Sequence, residues 1–137
     1  MKTDDDDLTW PSDMRYFAEQ WLVEMRSKLP EHDRVFSGKV VTMNFLGTPE
    51  TQWTFLVAAV ELAESQEELG AIAAGPFEHL LGFHGDAFID AVEELCRESP
   101  KFARMTNGAW RHMMSDAVWE RVQAIQASVS DTPQSPC

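Results

Sequence analysis

Cysteine is scarce in this chain: Cys96 and Cys137 are the only two, and their separation fits neither a metal site nor a redox pair. Cys96 falls on an apolar helix face and reads as a buried thiol, Cys137 as a tail thiol. Long apolar runs are missing as well. The longest strictly apolar stretch, Phe55 to Val60, is far short of the roughly 20 residues that a membrane-spanning helix needs. No secretory leader pattern is visible, since Met1-Lys2-Thr3 runs straight into Asp4 to Asp7, where an apolar segment would have to begin. The expectation is a cytoplasmic protein.

Positive charge is the third scarcity. Lys and Arg number 11 against 23 Asp and Glu, a net charge of −12, which repels polyphosphate and anionic lipid and makes nucleic acid and membrane surfaces poor partners. The deficit is local. From Val40 to Cys96 there is no Lys or Arg, while Glu50, Glu61, Glu64, Glu67, Glu68, Glu78, Asp86, Asp90, Glu93 and Glu94 all fall there. Residues 10–39 balance, and residues 97–137 are slightly positive.

What the chain does have is core material and helical period. Its 137 residues, with 5 Trp, 8 Phe and 7 Met, suffice for one domain that buries about two thirds of its unfolded surface. Met14, Phe17, Ala18, Trp21, Leu22, Met25 and Leu29 recur at helical spacing, with Ser12 as N-cap and Pro30 as stop. Residues 31–47 show no clear period and read as loop. Thr48-Pro49 opens a second helix with Trp53, Leu56, Val57, Val60 and Ala63 inside. Ser65 and Glu68 have capping-box spacing for a short third helix that Gly75 ends. Pro76 starts another, and Gly82 or Gly85 supplies the positive φ that reverses the chain. Asp86 opens a longer helix that Pro100 closes. Lys101 to Met105 is a helical turn, and Ser115-Asp116 opens a last helix containing Val118, Trp119, Val122 and Ile125. The expected fold is all-α: one compact domain of five to seven short helices over 10–127, helical-repeat-like in its pairing but without a repeat period. Residues 1–9 are expected to form an acidic disordered lead-in and 128–137 a flexible tail.

The stretch "AAGPFEHLLGFHGDAFID", residues 73–90, is richest in chemistry-bearing side chains. Glu78, His79, His84 and Asp86 are the candidates for a small metal-dependent or acid–base site at 78–86. His79 and His84 lie five apart, about 140° around a helix, a poor arrangement for two ligands of one metal. A corner explains more of these residues: Gly75-Pro76 stops one helix and starts the next, Glu78 satisfies amides at that start, and His84-Gly85-Asp86 closes one helix and caps another. Ser37-Gly38-Lys39-Val40 resembles the end of a phosphate loop, but Val40 replaces the magnesium-holding hydroxyl and Asp33 stands where the first glycine belongs. No nucleophile elbow, zinc-protease, paired-cysteine or calcium-loop pattern occurs. No cofactor and no metal is expected.

The segment Ala74-Gly75-Pro76-Phe77-Glu78-His79-Leu80-Leu81, then His84-Gly85, Ser99-Pro100-Lys101-Phe102 and Trp110, resembles a bacterial family of small helical proteins catalogued as a domain of unknown function. Its shared pattern is A-G-P-[LF]-E-x-L-L, His-Gly, Asp-Pro-x-Phe and a later Trp. The likeness runs from about Trp53 to Trp119, and Ser99 departs from the usual Asp. It implies an α-fold and brings no activity.

Like charges at helical spacing, such as Asp86 and Asp90, repel by a few tenths of a kcal/mol per pair. Such a concentration of carboxylates suits a basic protein surface. The functional expectation is a non-enzymatic acidic binding module, immunity-protein-like or inhibitor-like, contacting a basic protein through Glu61, Glu64, Glu67, Glu68, Asp86, Asp90, Glu93 and Glu94. Trp53, Trp110 or Tyr16 would serve as aromatic anchors if exposed. A homo-oligomer in which Lys101, Arg104 and Arg111 of one chain meet the acidic stretch of another is a further expectation.

Overall fold

The computed structural model describes residues 9–131, and every regular element among them is helical. These are α1 (Met14–Ser27), α2 (Val35–Leu46), α3 (Pro49–Leu62), α4 (Gln66–Ile72), α5 (Glu78–Glu98), α6 (Pro100–Thr106) and α7 (Asp116–Asp131). A 3-10 turn, Glu31–Asp33, precedes α2, and a π-helical turn, Ala73–Phe77, joins α4 to α5. The acidic lead-in, but for residue 9, lies outside the described residues, as does the tail beyond 131. Residues 128–131, expected to be loose, continue α7.

The helices start where local chemistry satisfies their free amides. Thr48 accepts from the Thr51 N–H ahead of Pro49, and Ser65 Oγ accepts from the Glu68 N–H at 3.1 Å, both as the sequence predicts. Ser99 and Ser115 do the same for α6 and α7. At α1 the cap is Asp13 and not Ser12: its carboxylate accepts from the Tyr16 N–H at 3.1 Å. That helix stops at Lys28, in the left-handed region at φ 57°, two residues before Pro30.

α3 is the central element, packed against α1, α4, α5 and α6. Phe55 reaches back to Phe17 at 4.9 Å and to Trp21 at 5.6 Å between ring centroids. Trp53 lies between Phe88 and Phe102 at 5.7 and 5.9 Å, and so is packed against the core and not an exposed anchor. Phe77 meets Phe102 edge-on at 6.4 Å. Phe17, Phe55, Phe77 and Phe102 are fully buried, each stabilising the fold by roughly 1.5–3 kcal/mol through transfer alone. α7 closes the core against α5 and α6, with Val118 and Val122 turned inward.

Two expectations are corrected. Residues 31–47 are not loop, since α2 occupies most of them. The segment lacks a helical signature because it is apolar on both faces, holds β-branched Val35, Val40, Val41 and Thr42, and has no capping side chain at Arg34. Its cap comes from another helix. Glu24 of α1, 7% exposed, accepts from the Phe36 and Ser37 N–H groups at 2.9 Å each, placing a carboxylate at the positive end of the helix dipole.

The second correction concerns residues 73–86, where Gly75-Pro76 does not break the helical path and no glycine supplies a positive φ. Gly75 and Pro76 sit inside the π-turn, whose wider hydrogen-bond spacing accommodates a residue without an N–H. α5 then runs on past Gly82 and Gly85, neither of which has positive φ. Two helical segments meet across a kink at His84 (φ −136°, ψ 25°), so the break falls where His84-Gly85-Asp86 places it, without a left-handed glycine. The two glycines serve close approach instead: a Cβ at Gly82 would lie 2.5 Å from the His112 carbonyl oxygen, and one at Gly85 3.0 Å from Val118. They let the 107–118 segment lie directly on α5.

Candidate functional site

The acidic stretch takes on a different meaning once folded. Arg26 of α1 forks onto Glu68, Nε donating to one oxygen at 2.9 Å and Nη2 to the other at 2.8 Å. It also donates to the Leu62 carbonyl at 3.1 Å and stands 3.5 Å from Glu64. Glu68 is buried, accepts the Glu64 N–H at 2.8 Å as well, and is held below the usual carboxylate range by its hydrogen bond to Arg26. At the other end of the chain, Arg121 of α7 spans Asp90 (2.5 Å) and both oxygens of Glu93, one at 3.0 Å. Glu93 is likewise held low by the Arg121 hydrogen bond. Arg15 pairs with Glu61 at 3.3 Å across exposed surface, a contact worth a fraction of a kcal/mol at most.

Five of the eight carboxylates expected to contact a partner therefore meet cations of their own chain: Glu61, Glu64, Glu68, Asp90 and Glu93. The sequence separates the charges and the fold rejoins them. Among the described residues Glu67, Asp86 and Glu94 have no such partner and are exposed. Asp86 and Glu94 sit on one flank of α5, about 12 Å apart along its axis, with the Arg121 cluster between them. Arg26 and Arg121 went unnoticed in sequence because their partners lie in other helices, and no local spacing announces them.

The 78–86 stretch is built as follows. Glu78, expected to cap its own helix, accepts the Trp110 N–H at 2.9 Å and ties the 107–115 segment to α5. His79 stands between two rings, edge-on to Phe45 at 4.5 Å and tilted against Phe83 at 4.7 Å. Burial pushes its imidazole below the ordinary value of 6.5, and the neighbouring His112 and His84 push the same way. His84 occupies the bend and Asp86 is exposed. Among the described residues no three His, Cys, Asp or Glu side chains gather as a metal site would require. Trp110 is 77% exposed and Tyr16 about half exposed.

The cations expected to drive self-association are largely engaged internally. Lys101 donates to the Glu61 carbonyl at 2.9 Å, and Arg111 to the Met114 carbonyl and Asp116. Cys96 is half-buried, its thiol pushed up to about 12 chiefly by that burial, which keeps it from acting as a nucleophile near neutral pH.

The model of DUF6869, a family of unknown function, matches residues 24–129. The chain belongs to that family. The DUF6869 match is wider than the Trp53 to Trp119 stretch on which the likeness is legible: it takes in Glu24, Arg26 and Arg121, the side chains that cap α2 and close the two charge clusters. Comparison with curated proteins and with solved structures returns no significant match. Among the described residues of this DUF6869 protein no helix is long and apolar enough to cross a membrane.

Proposed function

We propose that the protein is a non-enzymatic, cytoplasmic binding module that recognises a basic partner protein through an acidic surface drawn from residues 50–94, in the manner of an immunity protein or an inhibitor. The observation that carries this reading is what remains after internal pairing. Among the described residues Glu67, Asp86 and Glu94 stay exposed without a cation, in a segment, Val40 to Cys96, that contains no Lys or Arg. Such unmatched carboxylates attract a positively charged surface over a Debye length and disfavour nucleic acid and anionic membranes.

The paired residues are unsuitable probes, because charge reversal at Glu68 or Asp90 breaks the Arg26 or Arg121 cluster along with any interface. The test therefore uses Glu67→Lys, Asp86→Lys and Glu94→Lys. Partners are captured from native lysate at low and high salt and the recovered basic protein is titrated against each variant. The expected result is a complex that weakens with salt, and weakens further with a flatter salt slope in the variants, while thermal unfolding stays as in the parent. Binding that ignores all three reversals overturns the proposal.

A further inference from the structure

Three of the chain's four histidines meet on one stretch of α5. His79 and His84 belong to that helix, with Gly82 between them. His112 is laid on the same glycine by the 107–115 segment, its carbonyl oxygen 2.5 Å from where a Cβ would stand. In a chain with 23 carboxylates, none of these three histidines has one beside it. Among the described residues His32 is the one histidine within 4 Å of a carboxylate oxygen, 3.6 Å from Asp33.

The charged groups around His79 are spent elsewhere. On α5, Glu78 accepts the Trp110 N–H at 2.9 Å, and Asp86 lies exposed past the kink. α2 offers the Phe45 ring, and its one charge, Lys39, donates to the Thr9 carbonyl. In the 107–115 segment, Arg111 holds the Met114 carbonyl and Asp116. The π-turn Ala73–Phe77 carries no charge, and α3 and α7 meet α5 beyond the kink, at Phe88 and Gly85. What remains to act on His79, besides burial, is the like charge of His112 and His84.

The 107–115 segment is anchored at its ends and thinly held between them. Ala109 and Met114 are buried, and Gln126 donates to the Ala109 carbonyl at 3.1 Å. Trp110, Arg111, His112 and Met113 are all exposed. Met113 has φ 64°, in the left-handed region, which a residue with a Cβ resists. Two contacts with α5 hold the middle down: the Glu78 bond to the Trp110 N–H and the close fit on Gly82.

We propose that residues 110–113 form a strap under histidine control: it lies closed on Gly82 while His79, His84 and His112 are neutral, and it lifts when they are charged. A charged His79 faces two like neighbours with no carboxylate beside it to offset them. Lifting the strap carries His112 away and lets Met113 leave its left-handed conformation. Histidine clusters act as pH switches because their charge changes near neutrality. The lifted form holds His79 nearer its ordinary value of 6.5 and so binds more protons than the closed form, in which that value is lowered. It therefore gains on the closed form as pH falls below 6.5 toward the depressed closed value. With His79 alone counted, the gain is at most about tenfold per pH unit. This inference stands apart from the basic-partner reading.

The experiment is an NMR titration of the full chain from about pH 8 to about pH 5, the range in which histidine changes charge, for the parent, His79→Phe and His112→Asn. It reads the imidazoles, the Trp110 amide and the Met113 backbone carbons. In the parent the Trp110 amide is expected to leave the position of a proton donated to a carboxylate, and the Met113 carbons their left-handed values. Both changes share the midpoint at which His79 gains its proton, below 6.5. Each variant removes the joint response from that midpoint. His112 is exposed and His79→Phe keeps a ring, so the fold survives, which circular dichroism checks; if His79→Phe does not fold, His112→Asn decides alone. Trp110 and Met113 signals that stay fixed while His79 titrates overturn the proposal. So does a response that keeps its midpoint in the variants, or one confined to the carboxylate range, since that belongs to Glu78 releasing the Trp110 amide by its own protonation.

Discussion

Glu24 caps a helix that is not its own: its carboxylate accepts the Phe36 N–H at 2.9 Å, with its second oxygen on Ser37. Capping groups normally come from the residues next to the helix start. Here the cap arrives from α1, and it fixes the angle at which α2 leaves. Glu24→Ala strands two amides at a partly buried helix start, and the expected cost is about 2 kcal/mol. Glu24→Gln keeps one acceptor and costs less. Urea unfolding followed by circular dichroism ranks the two, and an alanine variant as stable as the parent shows that α2 holds itself.

The Arg26–Glu68 fork predicts an acid sensitivity. Glu68 and Glu93 are held low in the folded state by Arg26 and Arg121 respectively, so the unfolded chain binds more protons than the folded one wherever these groups titrate. Stability from the two pairs is complete above the ordinary carboxylate value of 4.5 and is lost as pH falls below it toward the depressed folded values. Arg26→Met removes the Glu68 part of that slope and leaves a buried carboxylate with only the Glu64 amide, at a cost of about 2–3 kcal/mol at neutral pH. Melting temperatures of parent and variant between pH 3 and 7 report both effects.

His79 gives a second window at higher pH. Its folded value lies below 6.5, chiefly through burial, so below that pH the unfolded imidazole takes up a proton that the folded one resists. Stability is therefore full above about 6.5 and declines as pH falls through that value, continuing down to the depressed folded one. His79→Phe keeps a ring between Phe45 and Phe83 and removes this portion of the pH dependence. Imidazole titration by NMR places the folded value directly. A His79 that titrates at or above 6.5 contradicts the packing described.

Two glycines predict opposite signs for one substitution. Gly38 lies in exposed helix with open space around it, and Gly38→Ala stabilises by about 0.5–1 kcal/mol through lower chain entropy and better helix propensity. Gly82→Ala drives a Cβ to 2.5 Å from the His112 carbonyl oxygen, and the forced shift costs about 1–3 kcal/mol. Thermal melts of the pair, each against the parent, test both signs.

Much of the fold was legible because much of it is local. Thr48-Pro49, Ser65 and Ser115 each announce a helix start through atoms within three residues. Inner-face residues Phe17, Trp21, Leu56 and Val122 follow from period alone. α2 was illegible because its period is blurred by apolar residues on both faces and its cap sits 12 residues upstream in Glu24. The continuity of α4 into α5 was hidden by Gly75-Pro76, which read as punctuation until a π-turn absorbs the proline. The candidate site suffered similarly. Ten consecutive anions without an intervening cation looked unmatched in sequence, although Arg26 and Arg121 each pair with two of them, Glu64 with Glu68 and Asp90 with Glu93, from either end of the chain.

That last arrangement bears on synthesis. α1 is synthesised before α4, so Glu68 emerges into a chain where Arg26 already waits. Asp90 and Glu93 meet Arg121 only when α7 is made. The same helix brings Val118 and Val122 to the core, and its Gln126 donates to the Thr106 and Ala109 carbonyls that end the α6 region. A chain that stops before residue 116 therefore keeps Asp90 and Glu93 without Arg121 and leaves bare the core surface that Val118 and Val122 cover. The arrival of α7 is the point at which α5 and α6 gain their cover.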